Sequence, residues 1–345
     1  MRKLLLGTTA LAAAATLSAN VALAEVAITG SYEFTYQSHD PGTTTSGASN
    51  DEFSSDQDIA IKFEKKTDTG LTIGMYQKIE TAAAGKASGV SSDENYLYIK
   101  GGFGSVTLGN NDGAGDQLTR TAHDMLGVDA LNDGNGTGIN VLGSGGTRNL
   151  KDDNADLMDD VDDENNVTYI LPKMGGLTVG ASYADAGDAS DENADQTSFG
   201  AKYDFESGAV KGSIHLGTNS VSGANAGDSS TNHNSMGIDL SSGPFRAVIA
   251  KAESDTSTAS VTTEVTDYGV QYNVGNGLTL TAVGTQIEEN TGGETSDVVS
   301  LGAKYNIASG LDAYLTYHDY DYAAGDSGGT SDDGSYTILT IQAKF

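Results

Sequence analysis

The 345-residue chain is predicted to be all-β, a 16-stranded antiparallel transmembrane β-barrel with a long third loop folded inward, and three observations carry that prediction. Apolar and polar residues alternate with period two through one segment after another, as strands with two unlike faces require. Short Gly-rich turns and longer polar loops alternate strictly, seven of the first and eight of the second, so the chain divides into sixteen strands. An even strand number, with short turns at one end and long loops at the other, is the layout of a barrel that spans a membrane. Closure also removes the unpaired edges that so many strands would otherwise expose.

The N-terminus stands apart. Arg2 and Lys3 precede an apolar run over residues 4–17, and Ala22-Leu23-Ala24 fits a small-x-small cleavage pattern. Residues 1–24 therefore read as a secretory signal peptide, with Glu25 the first mature residue and 25–345 the barrel domain. The run is short for a membrane anchor. The mature part holds no apolar stretch long enough for a spanning helix, which does not count against a barrel, whose lipid-facing residues alternate with polar ones.

Composition narrows the function classes. There is no Cys and no Trp, with three Pro and 45 Gly. Disulfides, thiolate metal sites and cysteine nucleophiles are excluded, and so much Gly with so little Pro suits many tight turns. The formal net charge is −30. Nucleic acid is excluded as a partner, because phosphate neutralisation needs a basic face; an acidic surface serves solubility or attracts cations.

Strands are predicted at 25–38, 53–67, 71–80, 94–101, 104–109, 166–172, 176–185 and 196–206. The second half follows at 209–218, 233–242, 244–254, 264–274, 277–288, 297–308, 311–322 and 335–345. In the first, Val26, Ile28, Tyr32, Phe34 and Tyr36 share one face, and Ser31, Glu33, Thr35 and Gln37 the other. The apolar faces, such as Ile59 with Phe63, Phe199 with Tyr203 and Phe245 with Ile249, are assigned to lipid. Tyr36, Tyr183, Tyr203, Tyr272 and Tyr305 sit at strand ends, suited to the headgroup level. The opposite faces carry dispersed charges and are assigned to water.

The stretch 110–165 is long, rich in Gly and Asp, and without sustained apolar periodicity. A loop of that length in a compact fold is functional or marks a wrong assignment; here it is read as the constriction. Thirteen acidic residues fall between Asp112 and Glu164 against three basic ones. Asp112, Asp116, Asp124, Asp129 and Asp133 are candidate constriction residues, because carboxylates in a narrow lumen select cations. Lys62, Lys78 and Lys100, on inward faces, are candidates for a facing basic wall. The run DDNADLMDDVDDE supplies Asp152, Asp153, Asp156, Asp159, Asp160, Asp162, Asp163 and Glu164. These are candidate Ca2+ ligands, although the run lacks EF-hand spacing and its Gly. It fits a solvated mouth equally well. No other cofactor is expected.

Enzyme chemistry is not indicated. His39, His123, His215, His233 and His318 are scattered without metal-ligand spacing, and there is no G-x-S-x-G, H-E-x-x-H or P-loop.

The last strand, SYTILTIQAKF, ends on Phe345. Together with EVAITGSYEFTYQ after the signal, YLYIKGGFGSVTLGN before the long loop and NNVTYILPKMGGLTVGASY after it, the chain resembles the Gram-negative general porins, most closely those of Rhodobacter-like alphaproteobacteria. The resemblance implies a homotrimer of sixteen-stranded barrels among the lipids of the cell outer membrane. It implies passive diffusion of small hydrophilic solutes and ions, an eyelet made by the third long loop, and a terminal Phe read by the assembly machinery. Here the loop is longer and more acidic than usual, and single lysines stand where the family clusters arginines. Weak cation selectivity is the resulting expectation. A substrate-specific channel is the near alternative. A secreted acidic Ca2+-binding β adhesin is the distant one, and the strand count and terminal Phe do not suit it.

Overall fold

The computed structural model describes residues 24–41, 51–80, 91–127, 165–185, 193–223, 230–257, 261–290, 295–322 and 332–345. The first eight strands are β1 (Glu25–Pro41), β2 (Glu52–Lys66), β3 (Thr72–Glu80), β4 (Ser91–Gly101), β5 (Gly104–Asn110), β6 (Asn165–Ile170), β7 (Leu177–Ala184) and β8 (Asn193–Ser207). The second eight are β9 (Val210–Gly223), β10 (Thr231–Ser242), β11 (Phe245–Thr256), β12 (Val261–Gly275), β13 (Leu278–Glu289), β14 (Thr295–Ala308), β15 (Leu311–Tyr322) and β16 (Asp332–Lys344). Each pairs antiparallel with its chain neighbours, and β1 pairs with β16, so the sheet closes into a barrel. All sixteen predicted strands are present. The largest difference in their ends is at β9, expected to stop at 218 and running to Gly223. No described helix is long and apolar enough to cross a membrane.

The closing seam runs from Ser31 opposite Lys344 to Pro41 opposite Gly334. Phe345 extends it, donating its N–H to the Gly30 carbonyl at 2.9 Å, while its side chain stays 84% exposed on the outer surface. The short turns are backbone reversals of the expected kind. Between β12 and β13, Asn276 (φ 52°) and Gly277 (φ 85°) both take positive φ, as a two-residue hairpin loop with the twist of its strands requires.

The outer face is the apolar one. Phe34, Phe63, Phe199, Ile249, Val270 and Leu339 are exposed there, which in water would be a large aggregation-prone surface and in lipid is the favourable arrangement. Tyr183 lies near the long-loop end of β7, and Tyr203, Tyr272 and Tyr305 toward the short-turn ends of β8, β12 and β14, all exposed. They form the two levels at which half-wet, half-dry rings are expected.

The inner face departs from the expectation of a uniformly solvated lining. From β11 to β16 it carries Val265, Ile287, Val298, Tyr320, Tyr336 and Ile338, each buried to 3% exposure or less and packed as one cluster. Ile338 and Leu339 are adjacent and both apolar, one inward and one outward, so this part of the barrel has two apolar faces. At the seam His39 stacks on Tyr336 with centroids 4.1 Å apart and contacts the Tyr320 hydroxyl at 2.8 Å.

Candidate functional site

After β5 the chain turns into the barrel and follows its inner wall. A one-turn helix α1 (Ala114–Leu118) packs on β7, β8 and β9, and a 3-10 turn (His123–Met125) packs on β12. The apolar residues of this stretch, Ala114, Leu118, Ala122, Met125 and Leu126, are all buried against the wall. They sit on two separate short helical turns with Thr119 extended between them, so the described stretch has no sustained helical periodicity and docks through a few apolar residues instead. Burying Leu118, Met125 and Leu126 contributes about 1.5–3 kcal/mol each.

The wall beneath the loop is built of small residues. A Cβ on Gly200 would lie 2.1 Å from the Ala114 carbonyl oxygen, and one on Gly269 2.3 Å from Met125 Cε and 3.1 Å from Ala122 Cβ. At Gly302 it would meet Leu126 Cδ2 at 2.9 Å. The backbone of the loop approaches the sheet as closely as glycine allows. Hydroxyls beside these glycines accept the loop's free amides: Ala114 N–H donates to Ser182 Oγ at 2.7 Å and Gly115 N–H to Ser198 Oγ at 2.8 Å. These are two of the orphan donors at the start of α1, satisfied by the wall because no capping side chain is present. Farther on, His123 Nδ1 meets the fully buried Asp267 carboxylate at 3.2 Å. Gln271 and Thr281 donate to the Met125 carbonyl at 2.8 and 3.2 Å.

The other face of the loop carries Asp116, Gln117, Arg120 and Asp124. Asp124 accepts the Thr121 N–H at 3.1 Å. Its side chain keeps area open to the lumen, yet the wall around it displaces enough water to raise its carboxyl above the ordinary range. The Thr121 N–H and the charges of Arg120, Arg246 and His123 oppose that shift. Asp112, at the start of the loop, lies beside Glu94 of β4.

That last contact opens onto a feature not foreseen from the sequence. Cross-strand register brings Glu33 opposite Asp56 and Asp58 opposite Glu80, all on the inner face. One oxygen each from Asp56, Asp58 and Glu80 lies within 4.8 Å of the others. With Asp93, Glu94 and Asp112 they make an acidic wall across β1–β4. Lys78 is embedded in it, paired with Asp93 and 3.7 Å from Asp58. The carboxylate trio has a spacing that would admit a small cation, with Lys78 already supplying one positive charge.

The three candidate lysines do not form one basic wall. Lys78 belongs to the acidic group, whereas Lys62 and Lys100 lie toward the short-turn end, flanking Tyr98 at 5.7 and 4.6 Å from its ring centre. Lys62 also pairs with Glu64 at 2.9 Å, and Tyr98 donates to the same carboxylate at 2.8 Å. More inward cations sit at this level around the barrel. Lys202 lies 3.5 Å from Asp204, Lys211 3.2 Å from Glu206, and Lys304 3.2 Å from Asp312. Arg246 grips Asp239 through Nε at 3.1 Å and Nη2 at 2.8 Å. Asp129, Asp133 and the run from Asp152 to Glu164, with its candidate Ca2+ ligands, lie outside the described residues.

The acidic wall could have been sought by writing the inward residues of adjacent predicted strands side by side. Its strand members are separated by up to 61 positions in sequence, Glu33 to Glu94, and only register joins them.

Comparison with known proteins agrees with this geometry. A search of curated proteins returns no match. Among solved structures, an anion-selective porin from Comamonas acidovorans aligns at 14% identity over 94% of this chain and 100% of its own, with a TM-score of 0.67. A loop-deletion variant of OmpT from Vibrio cholerae aligns at 15% identity over 93% and 99%, with a TM-score of 0.64. A mutant of the Rhodopseudomonas blastica porin aligns at 16% over 93% and 100%, with a TM-score of 0.63. At these identities the likeness establishes the fold. The sequence model of the Gram-negative porin family matches residues 7–325. The chain belongs to the Gram-negative porins and is an outer-membrane protein whose barrel forms a channel.

Proposed function

We propose that this channel passes small hydrophilic solutes and ions by passive diffusion and prefers cations. An anion-selective porin shares the fold, so selectivity is decided by the charges that line the lumen and not by the barrel. The observation that carries the reading is the acidic wall of β1–β4, where six wall carboxylates and Asp112 face one lysine, Lys78, among the described residues. A monovalent cation about 5 Å from two such carboxylates gains roughly 1 kcal/mol after screening at 0.1 M salt, enough to enrich it about fivefold over bulk.

Planar-bilayer recording under a KCl gradient tests this. The expected result is stepwise conductance with a reversal potential of cation sign, reduced in the triple variant Asp56→Asn, Asp58→Asn, Glu80→Gln. Anion preference, or the same preference in the triple variant, sinks the selectivity claim. Export with cleavage before Glu25, where β1 begins, and the homotrimer belong to the same proposal. N-terminal sequencing and light scattering in detergent check them.

A further inference from the structure

We propose that the pore rectifies, carrying more current when the long-loop side is positive, because its fixed charges are sorted along its axis. The inference rests on the channel reading above and adds a direction to it.

The sorting is visible strand by strand. Glu33, Asp56, Asp58, Glu80, Glu94 and Asp112 occupy the middle and long-loop part of the lumen, and Lys78 is the cation among them. Toward the short-turn end the pattern reverses. Lys62, Lys100, Lys202, Lys211, Arg246 and Lys304 all face inward within five residues of the short-turn ends of their strands. Five of these six pair with a carboxylate. Lys100 instead lies over the Tyr98 ring, and Lys344 adds a further cation at the end of β16. One zone is strongly negative, and the other is balanced to slightly positive. The sorting follows from register and strand direction.

Two zones of unlike charge in series conduct unequally in the two directions. With the long-loop side positive, cations are driven in through the acidic zone, which admits few anions, and anions in through the nearly neutral zone. Both carriers accumulate where the zones meet. With the field reversed, the acidic zone draws cations out of the junction faster than the nearly neutral zone supplies them, and the junction is depleted. Potentials on protein surfaces reach several kT, and a difference of only about 1 kT between the zones changes local carrier concentration roughly 2.7-fold, so a current ratio of about two is expected. The effect needs Debye lengths comparable with the zones, about 10 Å at 0.1 M and about 3 Å at 1 M, and so fades with salt.

The test is single-channel recording of the full chain in symmetric KCl at equal and opposite voltages. The chain has no Cys, so Asp68→Cys in the β2–β3 turn gives a unique handle for orientation. A maleimide-polyethylene glycol too wide to traverse the pore, added to one chamber, lowers the conductance only of channels whose short turns face it. The expected result is a ratio of about two at 0.1 M, larger current with the long-loop side positive, and a ratio near one at 1 M. The double variant Lys100→Glu, Lys202→Glu makes the second zone acidic as well and is expected to bring the ratio to one. Lys304→Gln is a milder second variant that lowers it partway. A symmetric current at 0.1 M, the opposite polarity, or a ratio untouched in both variants overturns the proposal. Symmetric current with a cation-signed reversal potential overturns rectification alone and leaves the proposed selectivity standing.

Discussion

Gly200→Ala is the sharpest perturbation of the inward loop. The added Cβ would stand 2.1 Å from the Ala114 carbonyl oxygen, 2.9 Å from the carbonyl carbon and 2.9 Å from Leu118 Cβ. The obstacle is the loop backbone itself, not the tip of a movable side chain. To reach ordinary contact the carbonyl must retreat by about 1.3 Å, and overpacking of this kind costs roughly 1–3 kcal/mol. The retreat also strains the bonds from Ala114 and Gly115 to Ser182 and Ser198, which contribute about 0.5–1.5 kcal/mol each. Docking of α1 is therefore weakened by roughly 2–6 kcal/mol in sum. The barrel, held by its own ladders, should assemble normally. The loop either shifts into the lumen, lowering single-channel conductance, or detaches in part, raising open-channel noise. Gly102→Ala is the matched control, since nothing lies within 4 Å of its Cβ position. If Gly200→Ala records the same conductance and noise as Gly102→Ala, the loop is not held by close approach to this wall.

Three further outcomes are expected. Ser198→Ala leaves the buried Gly115 N–H without its acceptor, a cost of about 1–3 kcal/mol, and should speed hydrogen exchange at Gly115 while strand amides keep their protection; unchanged exchange counts against the wall as a helix cap. Asp267→Ala removes the carboxylate beside His123 but keeps the Gln271 and Thr281 bonds to Met125, so exchange should rise at 123–126 with conductance nearly unchanged. A large conductance change would show the His123 pair to be the main clamp. Lys78→Met removes the cation inside the acidic wall and should strengthen cation preference in a KCl gradient, and a weakened preference would refute the balance of charges described for that wall.

What the sequence discloses and what it hides follow from which signals are local. Strand number and direction were legible because each hairpin carries its own turn residues, as at Gly275-Asn276-Gly277, and its own alternation, as in Val299, Leu301 and Ala303 outside against Ser300 and Gly302 inside. The third loop was legible as a loop by length alone. Its docking face was not, because Ala114, Leu118, Ala122 and Met125 fall on two separate short turns and Gly200 and Gly269 carry no signal that sets them apart from other strand glycines. The inner apolar cluster escaped for a related reason. Alternation can mark a lipid face only where the other face is polar, and at Ile338-Leu339 both are apolar. Charge placement was half legible: Lys62, Lys78 and Lys100 do face inward, but whether a lysine meets acids or a tyrosine depends on neighbours fixed by register.

These placements together assign the loop and the wall different work. The described part of the loop lies along β6–β9 and β12, where the wall offers Gly, Ser and Thr for docking. Two of the strands it covers, β6 and β7, carry no charged residue within their strands. The acidic wall of β1–β4 lies on other strands and meets the described part of the loop at Asp112, beside Glu94. On the function proposed above, a solute is confined by the loop and sorted by the wall. A loop emptied of its lumen-facing acids at Asp116 and Asp124 would still narrow the channel, whereas a wall emptied of Asp56, Asp58 and Glu80 would leave the channel narrow and nearly indifferent to charge. Conductance and ion preference should accordingly be separable by mutation, the first responding to Gly200 and Ser198, the second to the β2–β3 carboxylates. A set of variants in which the two always moved together would show that the loop, not the wall, carries the selectivity.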